Sequence, residues 1–348
     1  MNIFQKLVVP LIKLALRNRW FFRLIGIGIF ILILYKINWA EFLRIIRQLN
    51  PYWVFTSLVL QGIALVVTTW RWKLIMERLD IHVSFGRSFI HQLVGTGVAM
   101  VTPGQLGEFV KVLYHRGLRI PVPESALSVL IDRLYDLFML FVFGFLSLAI
   151  LFGIQPNLVA AIAIVGGLVT LILFFIIRNK VDSAYWIAAF LARLSPKAYK
   201  EMIRQKTRRL ARKVVSMSPV FVATCVLLSL TNYTLLVAKV YMLALAVHMD
   251  VSFWYIALAV PLCRLAGLLP ISVSGIGTRD AMIIYLLSRV GVPAESSLIL
   301  SLLSLISLEF QALFGILFWW RYPPTLERSM EFFDRNKISG LDEALPEK

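Results

Sequence analysis

The 348-residue chain is 59% hydrophobic, only 16% charged, and carries a formal charge of +17. A soluble domain of this length needs far more charge to cover its surface. Here the apolar residues gather in runs long enough to cross ~30 Å of hydrocarbon, which marks a polytopic α-helical membrane protein.

In chain order, residues 3–18 alternate apolar pairs with Lys6, Lys13 and Arg17, as in a helix lying at the interface. Phe21 to Ile37 reads as the first span, and the basic cluster before it puts the N-terminus in the cytoplasm. No small-residue cleavage pattern follows Ile37, so no cleavable signal is expected. After a short amphipathic stretch over 39–50, a second span runs from Tyr52 to Thr69 and meets Trp70-Arg71-Trp72-Lys73, read as a basic and aromatic interface anchor. The next apolar stretch, Phe89 to Val101, is too short to cross and is broken by Pro103 and Gly104. A second helical piece, 106–113, returns to His115, Arg116 and Arg119. Together they predict a re-entrant hairpin. Glu124 to Ala149 is a full span outward, and Leu158 to Ile177 comes back.

Residues 178–213 hold eleven Lys/Arg against Asp182 and Glu201, a net of +9. The segment 178–218 is read as a basic cytoplasmic element facing anionic lipid. No zinc-finger, RNA-binding or helix-turn-helix pattern accompanies it, so nucleic acid is not an expected partner. Pro219 opens a span reaching Ala246, and Phe253 to Leu269 is apolar with Pro261 inside. Pro270, Gly275 and Gly277 break it, Ala281 to Leu287 resumes, and 297–320 is the last span. Residues 323–348 form a polar tail.

Residues 52–149 and 219–320 thus read alike: span, broken hairpin, span. Charge bias sends 52–70 inward and 219–246 outward, which predicts an inverted repeat within one transmembrane domain, 1–322. If Phe253 to Leu269 instead spans fully, the topology after it changes. Irregular backbone at membrane depth is tolerated only inside protein or along a wet cavity, so the two breaks are the best candidates for a polar site.

The ionisable residues beside the breaks carry the chemistry. Glu108 and Lys111 share a helical face next to Gly104 and Gly107; they form an internal ion pair or each faces a polar substrate. Alternatively, the two glycines only let helices pack closely and Glu108 caps the piece. Asp132 and Asp136 lie on one helical face and need a cation or a shared proton, whereas Arg133 points elsewhere by about 100 degrees. These three would sit roughly 12 to 18 Å along their helix, so they should face protein or water, as substrate ligands or as a structural ion network. Arg264 and Arg279 flank the second break, and a guanidinium offers the planar donor fork that phosphate needs. They could equally neutralise Asp280, Asp132 or Glu309. His91 and Gln92 read as satisfied core polar groups, and Cys225 and Cys263 as small core hydrophobes. No nucleophile elbow, P-loop or zinc-helix spacing is present, and no cofactor is expected.

On Arg71-Trp72, Pro103 with Gly107-Glu108 and Lys111, Arg133 with Asp136, and 270–280, the chain resembles the lysylphosphatidylglycerol synthase transmembrane region, the flippase-like UPF0104 family, over roughly residues 20–322. Two glycines, a third glycine and a glutamate are usual at the family's second break; here Ser274 replaces the first glycine and Asp280 the glutamate, and Lys111 stands where arginine is common. The resemblance implies a lipid translocase, since some members are thought to move aminoacylated phosphatidylglycerol and others are linked to polyprenyl-linked sugars or hopanoids. Aminoacyl-lipid members carry a soluble synthase domain after the membrane region. With Lys348 as the last residue there is no room for such a domain, so lysyl-phosphatidylglycerol synthesis is not expected of the chain. The expected cargo is an anionic phospholipid or a polyprenyl-phosphate-linked lipid at the plasma membrane. The alternatives are a membrane-embedded subunit or transferase acting on a lipid-linked donor, and a partner of a separate lipid-modifying enzyme.

Overall fold

The computed structural model describes residues 19–102, 107–118, 120–153, 217–268 and 275–322, with backbone alone at 19–27, 101 and 309. The expected interface helix 3–18, Gly104, the returning span 158–177, the basic segment 178–216, Pro270 and the tail 323–348 lie outside them.

The described residues form ten helices: α1 Arg19–Lys36, α2 Trp39–Arg47, α3 Pro51–Arg78, α4 Phe85–Val101, α5 Val110–Gly117, α6 Val122–Phe152, α7 Pro219–Ala246, α8 Phe253–Leu268, α9 Thr278–Ser288 and α10 Ala294–Arg321. Among them α3, α6, α7 and α10 are long and apolar enough to cross a membrane. The described residues are therefore all-α, and the chain is multi-pass, as composition requires.

Local chemistry sets where these helices begin. Pro51 and Pro219 occupy the first positions of α3 and α7, where a missing amide hydrogen costs nothing. The side-chain oxygens of Asn50 and Ser218 accept the amides of Tyr52 (3.0 Å) and Phe221 (3.2 Å), satisfying donors that have no partner inside the helix. Asn38 caps α2 through the amides of Ala40 and Glu41.

The same elements begin again 168 residues later. α3 and α7 are both 28 residues long, and α4 and α5 are matched in starting position by α8 and α9. Asp80 and His248, at that offset, are the described non-glycine residues with positive φ, 60° and 58°. Each follows its long helix, and the same pair of hydrogen bonds returns to the helix end: Leu79 and Ile81 donate to the Met76 carbonyl, Val247 and Met249 to that of Ala244. Two separate stretches of sequence build one turn.

Two compact units divide the helices. The first holds the described residues of 19–64, 137–153 and 230–309. Its core joins Val237, Leu243, Ile256, Leu286, Leu287 and Leu298, with α8 packed on α9 and α9 on α1. The second holds those of 65–136, 217–229 and 310–322. Its core is built on Trp72, Ile75, Met76, Leu79 and Val129, with α4 packed on α5. Cys225 and Cys263 are buried free thiols, as the sequence suggested.

Candidate functional site

In the second unit, the first break is held by its flanks. The Thr102 hydroxyl donates to the Val98 carbonyl (2.9 Å) and accepts the Gly107 amide (2.7 Å). A side chain at Gly107 would run into the Val98 carbonyl, so this turn requires glycine. The 3-10 turn over 107–109 leads into α5 and delivers Glu108 and Lys111 to the interior. The stem of Lys111 crosses Gly95 of α4, where a Cβ would collide with its methylenes.

These groups build one continuous ionic network. Lys111 Nζ donates to Glu108 Oε2 (2.9 Å) and to Gln92 Oε1 (2.6 Å), and lies 4.7 Å from the centre of the Trp72 ring. The other oxygen of Glu108 accepts Arg133, whose Nη1 is 3.5 Å from Asp136. Asp136 Oδ1 accepts Arg71 Nη2 at 2.8 Å. Arg71 Nε donates to Asp132 Oδ1 (2.8 Å), and its Nη1 donates to Ser229 (2.7 Å). Arg71, Lys111 and Asp132 are fully buried. Three cations meet three carboxylates, so the cluster is neutral when all are ionised.

Six of the expected residues, Gly107, Glu108, Lys111, Asp132, Arg133 and Asp136, therefore come together here. The cation that Asp132 and Asp136 need is Arg71. Its reading as an interface anchor is corrected: both Arg71 and Trp72 are fully enclosed, since Trp72 stacks on His115 and donates to Ser128. Gln92, read as a bland core group, is the second acceptor of Lys111.

The first unit contains the second break. Gly275 and Gly277 have φ of 80° and 88°, values that favour glycine. A Cβ on Gly275 would lie 3.1 Å from the Gly267 Cα, so α8 and the turn approach at a pair of glycines. Asp280 closes the start of α9: its Oδ2 accepts the Gly277 amide at 2.8 Å, and its Oδ1 accepts the Ser301 hydroxyl and Arg279 Nη2 (3.2 Å). Arg279 Nη2 also reaches the Ser301 carbonyl at 3.3 Å, leaving its buried Nε without a hydrogen-bond partner.

Lys239, in the middle of apolar α7, escaped the sequence reading. It is buried, donates to Gln61 (2.9 Å) and Ser307 (3.4 Å), and lies within electrostatic reach of Arg264 and Arg279. Arg264 is exposed on α8. A lone lysine in the run Leu235 to Ala246 was the available signal, because an ionisable residue inside a spanning helix marks function by default. Glu309 lies on α10 with its side chain outside the described residues. Among the described residues, no group of three His, Cys, Asp or Glu side chains is placed to hold a metal ion.

Four helices long and apolar enough to span, with charge enclosed on the described flanks of both breaks, define a multi-pass membrane protein with a polar interior. The chain belongs to the family described as the lysylphosphatidylglycerol synthase TM region, whose model matches residues 20–315. It is similar to a UPF0104 membrane protein of Methanocaldococcus jannaschii, 24% identical over 76% of this chain and 82% of the relative. A UPF0104 membrane protein of Methanothermobacter thermautotrophicus is also 24% identical, over 72% of this chain and 80% of the relative. No solved structure matches the chain.

Proposed function

We propose that the protein is a lipid translocase for an anionic phospholipid or a polyprenyl-phosphate-linked lipid. The observation that carries this reading is Lys239, a cation enclosed in a helix long enough to span and within electrostatic reach of Arg264 and Arg279 beside the second break. Each charged side chain at the bilayer centre costs ~2.5–3.5 kcal/mol on insertion scales, so a cluster of them implies a polar task. Membership of a family described by a lipid synthase supports a lipid as the cargo. In this reading 52–149 and 219–320 form an inverted repeat in a single plasma-membrane domain, with the N-terminus in the cytoplasm. The repeated order of helices and turns at 168 residues supports the repeat. The headgroup is handled by polar residues at the breaks, and the acyl or prenyl tails stay in the bilayer.

Liposomes containing the purified protein and headgroup-labelled phosphatidylglycerol test this. The wild type should speed transfer of the label between leaflets, and Arg279→Ala should abolish that transfer while the protein stays folded. Transfer no faster than in protein-free liposomes rejects the translocase. The family's synthase description favours a second reading, a transferase subunit acting on a lipid-linked donor. Product formation by purified protein and lipid substrates would identify that activity.

A further inference from the structure

The 168-residue offset lets the two charged clusters be compared position by position. Arg71 corresponds to Lys239, Lys111 to Arg279, and Gly107 to Gly275. Cations therefore recur at equivalent places in both units. Their counter-charges do not. Glu108 corresponds to Ile276. The last helices of the two sets begin with one further shift, since Ser125 donates to the Pro121 carbonyl as Ser297 does to that of Pro293. At that register Asp132 and Asp136 become Ser304 and Leu308. The network of the second unit is neutral, whereas in the first unit Asp280 pairs with Arg279, and among the described side chains no carboxylate pairs with Lys239 or Arg264. Counting Glu309 as a carboxylate still leaves that cluster positive.

We infer that Lys239, Arg264 and Arg279 form the binding site for a phosphate-bearing anion, and that the Lys111–Glu108–Arg133–Asp136–Arg71–Asp132 network is its self-neutralised structural counterpart. An enclosed cation without a counter-charge is costly, and an anion removes that cost. Arg279 has a buried Nε free to donate, and Arg264, exposed on an apolar helix, offers a second guanidinium fork. Lys239 supplies a buried point charge positioned by Gln61 and Ser307. Asp280 cannot neutralise all three, because one of its oxygens is committed to the Gly277 amide and the other to Ser301 and Arg279. A net anionic headgroup fits this excess charge. A zwitterionic one brings its own cation and fits less well.

That the anion is a lipid headgroup rests on the translocase reading; the site itself does not. The test uses the full chain in phosphatidylcholine nanodiscs and measures equilibrium association of spin-labelled phosphatidylglycerol against spin-labelled phosphatidylcholine. The wild type should prefer the anionic lipid. Lys239→Gln and Arg264→Gln should each weaken that preference roughly tenfold or more, the loss of a charge-assisted hydrogen bond. Arg264, being exposed, is the variant least prone to a folding defect. Arg44→Gln removes an equal charge from an exposed pair with Glu41 and should leave the preference intact. Equal losses in Arg44→Gln, or none in Arg264→Gln, overturn the site. Competition by inorganic phosphate identifies the phosphate group itself as the recognised element, competition by unlabelled phosphatidylglycerol alone identifies the lipid, and competition by neither overturns the site. Binding that depends on Lys239 and Arg264 without interleaflet transfer keeps the site and discards the translocase. Transfer with binding unaffected by either variant does the reverse.

Discussion

At Arg71, two carboxylates, a hydroxyl and a backbone carbonyl converge on one guanidinium with no access to water. Removing one partner of a buried ion pair leaves the other charged and unsolvated, which costs about 3–5 kcal/mol. Arg71→Met should therefore lower unfolding stability in detergent by that amount, seen as a shifted denaturation midpoint. Arg71→Lys should recover only part of it, because an ammonium cannot span Asp132, Asp136 and Ser229 with a planar fork. The need for a cation was legible in the spacing of Asp132 and Asp136. Its identity was not, since Arg71 is 61 residues distant in sequence and sits in a tryptophan-flanked basic motif that looks like an interface anchor. Lys239 differs: a single lysine in an apolar run signals a polar task but names no partner, and its buried bonds to Gln61 and Ser307 supply the partners.

Helix positions were more legible than partners, because hydropathy, proline and glycine act locally while packing does not. Val122–Phe152 and Ala294–Arg321 contain the spans expected at 124–149 and 297–320, and the expected piece 281–287 lies inside Thr278–Ser288. What the sequence hid is how the helices cross. Gly97 of α4 meets the backbone of α10 at Ala312 and Ile316, and Gly315 of α10 meets the Leu93 carbonyl in return. Backbone cannot swing aside, so Gly97→Ala and Gly315→Ala should both lower the melting temperature. At Gly95 the obstacle is the flexible stem of Lys111, and Gly95→Ala should cost less than either. Gly62, inside α3, has open space at its Cβ position. Gly62→Ala should therefore stabilise the helix, by up to about 1 kcal/mol from propensity alone. A melting series in one detergent checks the order: Gly62→Ala above wild type, then Gly95→Ala, then the two crossing glycines. Equal losses at Gly95 and Gly97 would show that the α4–α10 crossing is not set by backbone contact.

For the whole molecule, the decisive property is that equivalent positions of a repeated architecture carry the same sign of charge under different balances. Arg71 and Lys239 occupy the twenty-first position of two 28-residue helices. Arg71 is matched by Asp132 and Asp136, whereas the bonds of Lys239 go to the neutral Gln61 and Ser307. Desolvating a cation is repaid only by good counter-charge, and well-packed apolar replacements of uncompensated buried charge are often neutral or stabilising. Lys239→Met should therefore leave stability unchanged or raise it, the opposite sign to Arg71→Met, while anionic-lipid association falls. That divergence separates a charge retained for binding from one retained for architecture, because a structural lysine would lose stability and association together. Denaturation midpoints of the two variants in detergent, measured beside lipid association in nanodiscs, decide it. If Lys239→Met destabilises the protein as much as Arg71→Met, Lys239 is balanced within the fold and is not a charge held in reserve for an anion.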